Sequence, residues 1–200
     1  MKHEGWDAAR ALGLELVAAQ LEQLETFEGL IRERAIPLGI VATADEPRLR
    51  DRHLIDSLRA ATVVLATDRT AYDLGSGAGL PGVPVAIACP DLRMTLVESR
   101  RPRAAFLQLV IDRLGLANTA VANERVEALA EPVDVCFSRA FARVDVAWPA
   151  ADRLLIAGGR LVYFAGASFD PSELPGDATS TMVTTSALAR SGPLVIMSRQ

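Results

Sequence analysis

Apolar side chains recur at helical spacing through the N-terminal quarter of the chain. From Trp6 to Arg34, residues Leu12, Leu16, Leu21, Leu24, Phe27, Leu30 and Ile31 fall mostly three to five positions apart, with Glu, Gln and Arg between them. That spacing puts one apolar stripe on a helical region. Pro37 and Gly39 interrupt it, the stretch from Thr43 to Pro47 reads as a loop, and Leu49 to Leu58 resumes a short helical pattern.

From Ala71 onward the period changes, and short β-like runs alternate with helical ones. Ala71–Leu74 reads as a strand, Val83–Ala88 as a helix, Met94–Val97 as a strand and Pro102–Leu114 as a helix. The series continues with a strand at Ala120 and Val121, a helical turn around Val126–Leu129, a strand at Val133–Phe137, a helix at Val144–Leu155 and a strand at Arg160–Phe164. Alternation of this kind implies a parallel sheet covered by helices, a doubly wound α/β fold. Gly158 and Gly159 are assigned to the turn between the last helix and its strand. Two further runs, Ser180–Ser186 and Leu194–Ser198, are joined through Gly192 and Pro193 and form a terminal antiparallel hairpin; the polar stretch Ser168–Asp177 reads as exposed loop. Residues 1–60 are therefore expected to form a helical extension, and residues 61–200 the α/β domain.

A chain of 200 residues, half of them hydrophobic, can bury a core without disulfides. Its apolar runs stop well short of the ~20 residues that span a bilayer. The segment Met1–Ala9 has no apolar run ending in a small-residue cleavage site. A cytoplasmic protein without membrane association, taken as a monomer, is the expectation. Cys89 and Cys136 sit apart in apolar settings with no His or Cys at metal-ligand spacing, which favours reduced thiols and no metal. The net charge of −4 argues against broad, nonspecific affinity for nucleic acid. Arginines nevertheless cluster at Arg48, Arg50, Arg52 and Arg59, at Arg93, Arg100, Arg101 and Arg103, and at Arg139 and Arg143. Each cluster is either solvated surface or a local phosphate site. Trp6 and Trp148 read as packing residues.

The segment Asp73-Leu74-Gly75-Ser76-Gly77-Ala78-Gly79-Leu80-Pro81-Gly82 lies between an expected strand and an expected helix. Glycines there let the backbone turn sharply and approach a ligand, and the following helix offers unpaired N–H groups. Gly77, Gly79 and Gly82 match the dinucleotide fingerprint, with Glu98 about twenty residues on to hold a ribose. S-adenosylmethionine fits better on three grounds. Asp73 ends the strand just before Gly75, the glycines run at every second position, and five β units plus a hairpin leave little chain for a nicotinamide enzyme's substrate domain. Glu98 either accepts both ribose hydroxyls or caps the next helix. Asp73 either contacts the cofactor or holds the glycine loop.

Several motifs in order resemble one family. They are Arg52-His53-Leu54-Ile55-Asp56-Ser57-Leu58, then Asp73 to Pro84 with its Gly-Leu-Pro-Gly, Pro90-Asp91-Leu92, Arg103 with Phe106-Leu107, Arg125-Val126-Glu127, and Ser138-Arg139-Ala140-Phe141. Together they resemble the bacterial small-subunit ribosomal RNA guanine-N7 methyltransferases, RsmG or GidB, over roughly residues 50 to 165. The resemblance implies a Rossmann-like class I methyltransferase sheet, mostly parallel with a C-terminal antiparallel hairpin, and S-adenosyl-L-methionine as cofactor. It implies small-subunit rRNA or the small ribosomal subunit as partner. It further implies that Gly75 and Leu80 line the methionine side of the donor, that Val126 and Glu127 lie beside its adenine, and that Arg139 stands at the pocket mouth. With Asp73, Gly77 and Glu98 from the glycine-rich segment, these are the candidate donor-binding residues.

Enzymes acting on exocyclic amines commonly carry Asn-Pro-Pro-aromatic where this chain has Ser138-Arg139-Ala140-Phe141. Methylation at guanine N7 needs no general base, because the lone pair is already free, so catalysis would rest on positioning and electrostatics. Arg139 is the candidate catalytic residue, orienting the base through O6 or holding a nearby phosphate, unless it only makes a salt bridge to a carboxylate at the sheet edge. The chain departs from the family pattern upstream, where Gly39-Ile40-Val41 replaces an Asn-Leu-Thr segment. Pro102 and Ala165 stand where the family has lysines. These departures remove polar and cationic contacts on the substrate side and spare the donor side. A methyltransferase with another substrate, a dinucleotide oxidoreductase and a noncatalytic RNA-binding protein remain alternatives.

Overall fold

The computed structural model describes residues 6–186, 188 and 191–199. The N-terminal helical region is broken into pieces. Helix α1 (Asp7–Ala11) ends at Gly13, whose φ of 82° lies in the left-handed region that suits a residue without Cβ. Helix α2 (Ala18–Leu30) then widens into one π-helical turn, Ile31–Ala35, in which Ile36 N–H reaches Ile31 O at 2.9 Å. The periodicity predicts one helical stretch because it registers apolar spacing, and Gly13 costs that spacing nothing.

The stretch Thr43–Pro47, expected as a loop, lies within a 3₁₀ helix, Thr43–Arg48, and Arg50–Ile55 form a second π-helical turn leading into the short α3 (Asp56–Leu58). The sheet region follows as β1 (Thr70–Leu74), α4 (Gly82–Ala88), β2 (Arg93–Val97), α5 (Arg101–Leu114), β3 (Thr119–Ala122), β4 (Val133–Ser138), α6 (Val144–Asp152), β5 (Leu155–Phe164), β6 (Ala178–Val183) and β7 (Leu194–Arg199). The strands form one sheet in the order β3-β2-β1-β4-β5-β7-β6. The first five are parallel, and β7 pairs antiparallel with both β5 and β6. The order reverses between β1 and β4, and at such a switch point the loops leaving the two strands diverge and open a crevice.

Two expectations at the far end need correction. Helix α6 stops at Asp152 rather than Leu155, and Gly158-Gly159 lies inside β5 rather than before it. Val133 faces Leu155 but Val135 faces Arg160, so the glycines form a bulge. Gly158 takes φ 78°, and a Cβ on Gly159 would stand 3.0 Å from the Asp134 carbonyl. The hairpin strand expected at Ser180–Ser186 runs from Ala178 to Val183.

Alternation along the strands divides the core into two clusters. One face carries Ala71, Met94, Leu96, Val135 and Phe137 against Leu24, Phe27, Leu54, Ile55, Val83, Phe106 and Leu107. The other carries Tyr72, Leu74, Cys136 and Leu161 against Ala147, Trp148 and Ala151. The N-terminal helices thus cover the same face as α4 and α5. Gln20 and Gln23 fasten α2 there, donating to the carbonyls of Ile87 (2.7 Å) and Leu114 (2.9 Å) near the C-terminal ends of those helices. Both cysteines are free, and burial pushes the Cys89 thiol up to about 11. No helix among the described residues is long and apolar enough to cross a membrane.

Candidate functional site

Two carboxylates organise the glycine-rich turn after β1. Asp73, 1% exposed, lies one residue before the end of β1 and accepts the N–H of Gly82, the first residue of α4, at 3.1 Å. A Cβ on Gly82 would lie 2.6 Å from Asp73 Oδ2 and closer still to Leu96 Cδ2, so only glycine lets the helix start there. Burial raises the Asp73 carboxyl to about 7, and its Oδ1 has no hydrogen-bond partner among the described residues. The loop-holding role is therefore the one its geometry shows. Glu98, just past β2, accepts from Gly77 N (3.1 Å) and Arg100 N (2.8 Å), tying the turn to the start of α5, and Arg103 lies 3.9 Å away.

The crevice above these groups is a cleft of about 330 Å³, at the lower end of the range for small-molecule sites. Of the candidate donor-binding residues, Gly75, Glu98, Val126 and Glu127 all line it. Gly77 reaches it through its bond to Glu98, and Asp73 lies beneath the turn. Leu80 is buried in the core packed around α4 and does not line the cleft.

Ser99 and Phe141, to which residue type assigned no role, also line it, as does Arg100 from the second arginine cluster. Ala140 takes φ 54°, an uncommon conformation for a residue with a Cβ. The turn it makes brings Phe141 over Gly75, where a Cβ would meet the ring at 2.6 Å. An aromatic residue shortly after β4 was the available signal.

Arg139 goes the other way. It lines a neighbouring cleft of about 720 Å³ together with Arg48, Arg52, Asp56, Gly166 and Gly192. Its guanidinium stands 3.3 Å from Asp56 Oδ2, donates to the Arg52 carbonyl at 2.9 Å and to Ser57 Oγ at 3.3 Å, and lies 5.7 Å over the Phe164 ring. It also approaches His53 Nδ1 at 3.3 Å. Burial and the Arg139 charge lower the His53 pKa, which keeps the ring neutral and leaves Nδ1 able to accept. The Arg-His-Leu-Ile-Asp-Ser motif therefore packs on Arg139. The segment Ser138 to Phe141 is a partition, with Arg139 facing one cleft and Phe141 the other.

The family model "GidB: rRNA small subunit methyltransferase G" matches residues 20–187. A protein named ribosomal RNA small subunit methyltransferase G from Ralstonia nicotianae is 38% identical over 167 residues, covering 79% of this chain and 75% of that protein. A protein of the same name from Carboxydothermus hydrogenoformans is 34% identical over 164 residues, covering 79% and 70%. Among solved structures, the O-methyltransferase TomG from Streptomyces achromogenes, in complex with SAM, superposes with a TM-score of 0.59 at 18% identity, over 100% of this chain and 99% of that one. At that identity the likeness establishes the fold, a Rossmann-like methyltransferase sheet. With the family model spanning most of the chain and relatives this similar, the chain belongs to the GidB family, that of rRNA small subunit methyltransferase G.

Proposed function

We propose that this protein transfers a methyl group from S-adenosylmethionine to N7 of a guanine in small-subunit ribosomal RNA. The observation that carries the reading is the pair of clefts that share the Ser138–Phe141 wall. One has the shape and groups for the donor, and the other is bordered by arginines. The relatives' names supply the substrate class.

The donor cleft fits the cofactor. Gly75 lets the Phe141 ring close on the turn where a Cβ would strike it, so backbone and ring wall the cleft together, and Glu98 presents carboxylate oxygens able to accept two ribose hydroxyls. Val126 and Glu127 line the same cleft and are the residues that would border the adenine. When bound, S-adenosylmethionine supplies a methyl group activated by its sulfonium. The guanine N7 lone pair would accept that methyl group, leaving an uncharged thioether on the donor and the positive charge on the guanine ring. No proton leaves N7, so no side chain has to act as base. What remains is orientation and electrostatics, which Arg139 at the partition is placed to provide.

In this reading residues 61–200 form the donor-binding domain, and residues 1–60 an extension that supplies Arg52 and Asp56 to the acceptor cleft. Action on small ribosomal subunits places the protein in the cytoplasm.

The test is transfer of labelled methyl from S-adenosylmethionine to small subunits from a strain lacking this gene, followed by nucleoside analysis. Labelled 7-methylguanosine is the expected product. Donor binding without ribosomal label would remove the rRNA reading, and the departures at Gly39-Ile40-Val41, Pro102 and Ala165 would then mark where the substrate side has changed. Failure to bind the donor would remove the methyltransferase reading altogether.

A further inference from the structure

The sequence motif containing Asp56 carries no chemical role in the donor cleft, yet the structure brings this carboxylate to the floor of the neighbouring one. Asp56 and Arg139 stand side by side there, 3.3 Å apart, with side chains only 14% and 16% exposed. A guanidinium only donates hydrogen bonds, and an ionised carboxylate only accepts them. The cleft floor therefore offers one strong donor next to one strong acceptor.

Guanine presents the complementary pair on adjacent atoms. O6 accepts, while N1–H and the N2 amino group donate. N7 lies on the far side of O6 from N1. We infer that Asp56 is the residue that selects guanine, accepting N1–H and N2–H while Arg139 donates to O6 and N7 stays free for the methyl group. The inference deepens the proposed rRNA guanine methylation and rests on it. Adenine reverses both partners: its 6-amino group would face the guanidinium, and its bare N1 would face the carboxylate. Donor would then face donor and acceptor face acceptor, a mismatch that polar sites reject far more strongly than a missing methyl.

The surroundings suit an exchangeable reader rather than a fixed strut. Arg59, 4% exposed, holds Asp56 Oδ1 at 2.8 Å and donates to the Gly192 carbonyl at 2.8 Å, so the carboxylate keeps its place without Arg139. Arg139 is held by contacts of 3.3 Å to Asp56, Ser57 and His53, with one shorter bond to the Arg52 carbonyl. A carboxylate has about four lone-pair sites, enough to keep Arg59 and still accept from a base. Arg48 and Arg52, both exposed at the rim of the same cleft, suit the phosphates flanking an extruded nucleotide.

The test uses small subunits reconstituted with inosine, which lacks only the N2 amino group, at the nucleotide the wild-type enzyme methylates. The substitution is Asp56→Asn, which retains an oxygen for Arg59 while presenting an amino donor toward the cleft. Wild type should methylate the inosine subunits roughly tenfold more slowly than guanine subunits, the discrimination typical of one lost base contact. Asp56→Asn should be slower on guanine by a similar factor and should no longer distinguish guanine from inosine. Its affinity for S-adenosylhomocysteine should match that of wild type, showing that the fold and donor cleft persist. A purely structural ion pair would change the rates on both substrates equally, so a guanine-to-inosine ratio preserved in Asp56→Asn overturns the inference. Equal wild-type rates on the two substrates overturn it as well. Absence of label from guanine subunits would instead remove the rRNA reading, and this inference with it.

Discussion

Asp73 and Glu98 are both acids at strand ends under the same glycine turn, yet their surroundings set them different tasks. Burial pushes Asp73 from 3.8 up to about 7, against the opposing pull of its bonds to Ser76 and Gly82 and of the Arg139 charge. Between those two values the native chain holds a proton that the unfolded chain has released. The stability associated with that proton is complete below the unfolded pKa and is lost as pH rises through the folded one. Asp73→Asn keeps an oxygen for Gly82 N–H and cannot ionise. Thermal unfolding of both proteins at about pH 5 and about pH 8 should show the variant gaining on wild type toward the higher pH, by on the order of a few kcal/mol. A gap that does not change with pH would mean that ionised Asp73 is fully compensated in the fold. Glu98 instead borders the donor cleft. Glu98→Ala should weaken S-adenosylhomocysteine binding by about 1–3 kcal/mol, the range for a lost charged hydrogen bond; calorimetry showing unchanged affinity would remove it from the donor site.

At the scale of elements, α2 supports the site from a distance. Phe27 is fully buried between α2 and the sheet region, and its ring tip lies 3.5 Å from where a Cβ on Gly79 would stand. Phe27→Ala should cost about 3–5 kcal/mol in denaturant unfolding and lower donor affinity by loosening the turn, whereas Val17→Ala at the start of the same helix, 62% exposed, should stay within about 0.5 kcal/mol. Equal effects would mean that α2 does not brace the glycine loop. The βα alternation was legible because each strand and helix carries its own period, and the place of Gly75 and Glu98 along the cleft was legible because the turns after the strands of such folds open onto a crevice. Other features were not. Apolar spacing does not register Gly13, a glycine pair reads alike as a turn or as the bulge at Gly158-Gly159, and π-helical turns have no period of their own. Arg139 and Phe141 are two positions apart, and only the left-handed Ala140 between them sends them into different clefts.

At the scale of the whole molecule, the helical extension and the sheet share one core, because Leu24, Phe27 and Leu54 pack with Val83, Phe106 and Phe137. The cleft that holds Asp56 and Arg139, proposed above to take the acceptor, depends on that union, since Arg52 and Asp56 come from one part and Arg139 and Gly166 from the other. The two tryptophans report on opposite faces of the sheet. Trp6, 3% exposed, belongs to the cluster under the N-terminal helices, and Trp148, 2% exposed, to the cluster under α6. Replacing each in turn by Phe leaves a single emitter on a known face. Urea unfolding followed by fluorescence should then give coincident transitions for the two proteins, as expected when probes in different places report one cooperative event. If the Trp6 signal is lost first, the extension unfolds while the sheet persists. Asp56 would then leave the cleft floor while the donor cleft stays intact, and denaturant should abolish methyl transfer at concentrations where S-adenosylhomocysteine still binds. Coincident transitions instead tie acceptor recognition and donor binding to the same folding equilibrium, so that both activities should fall together across the urea titration.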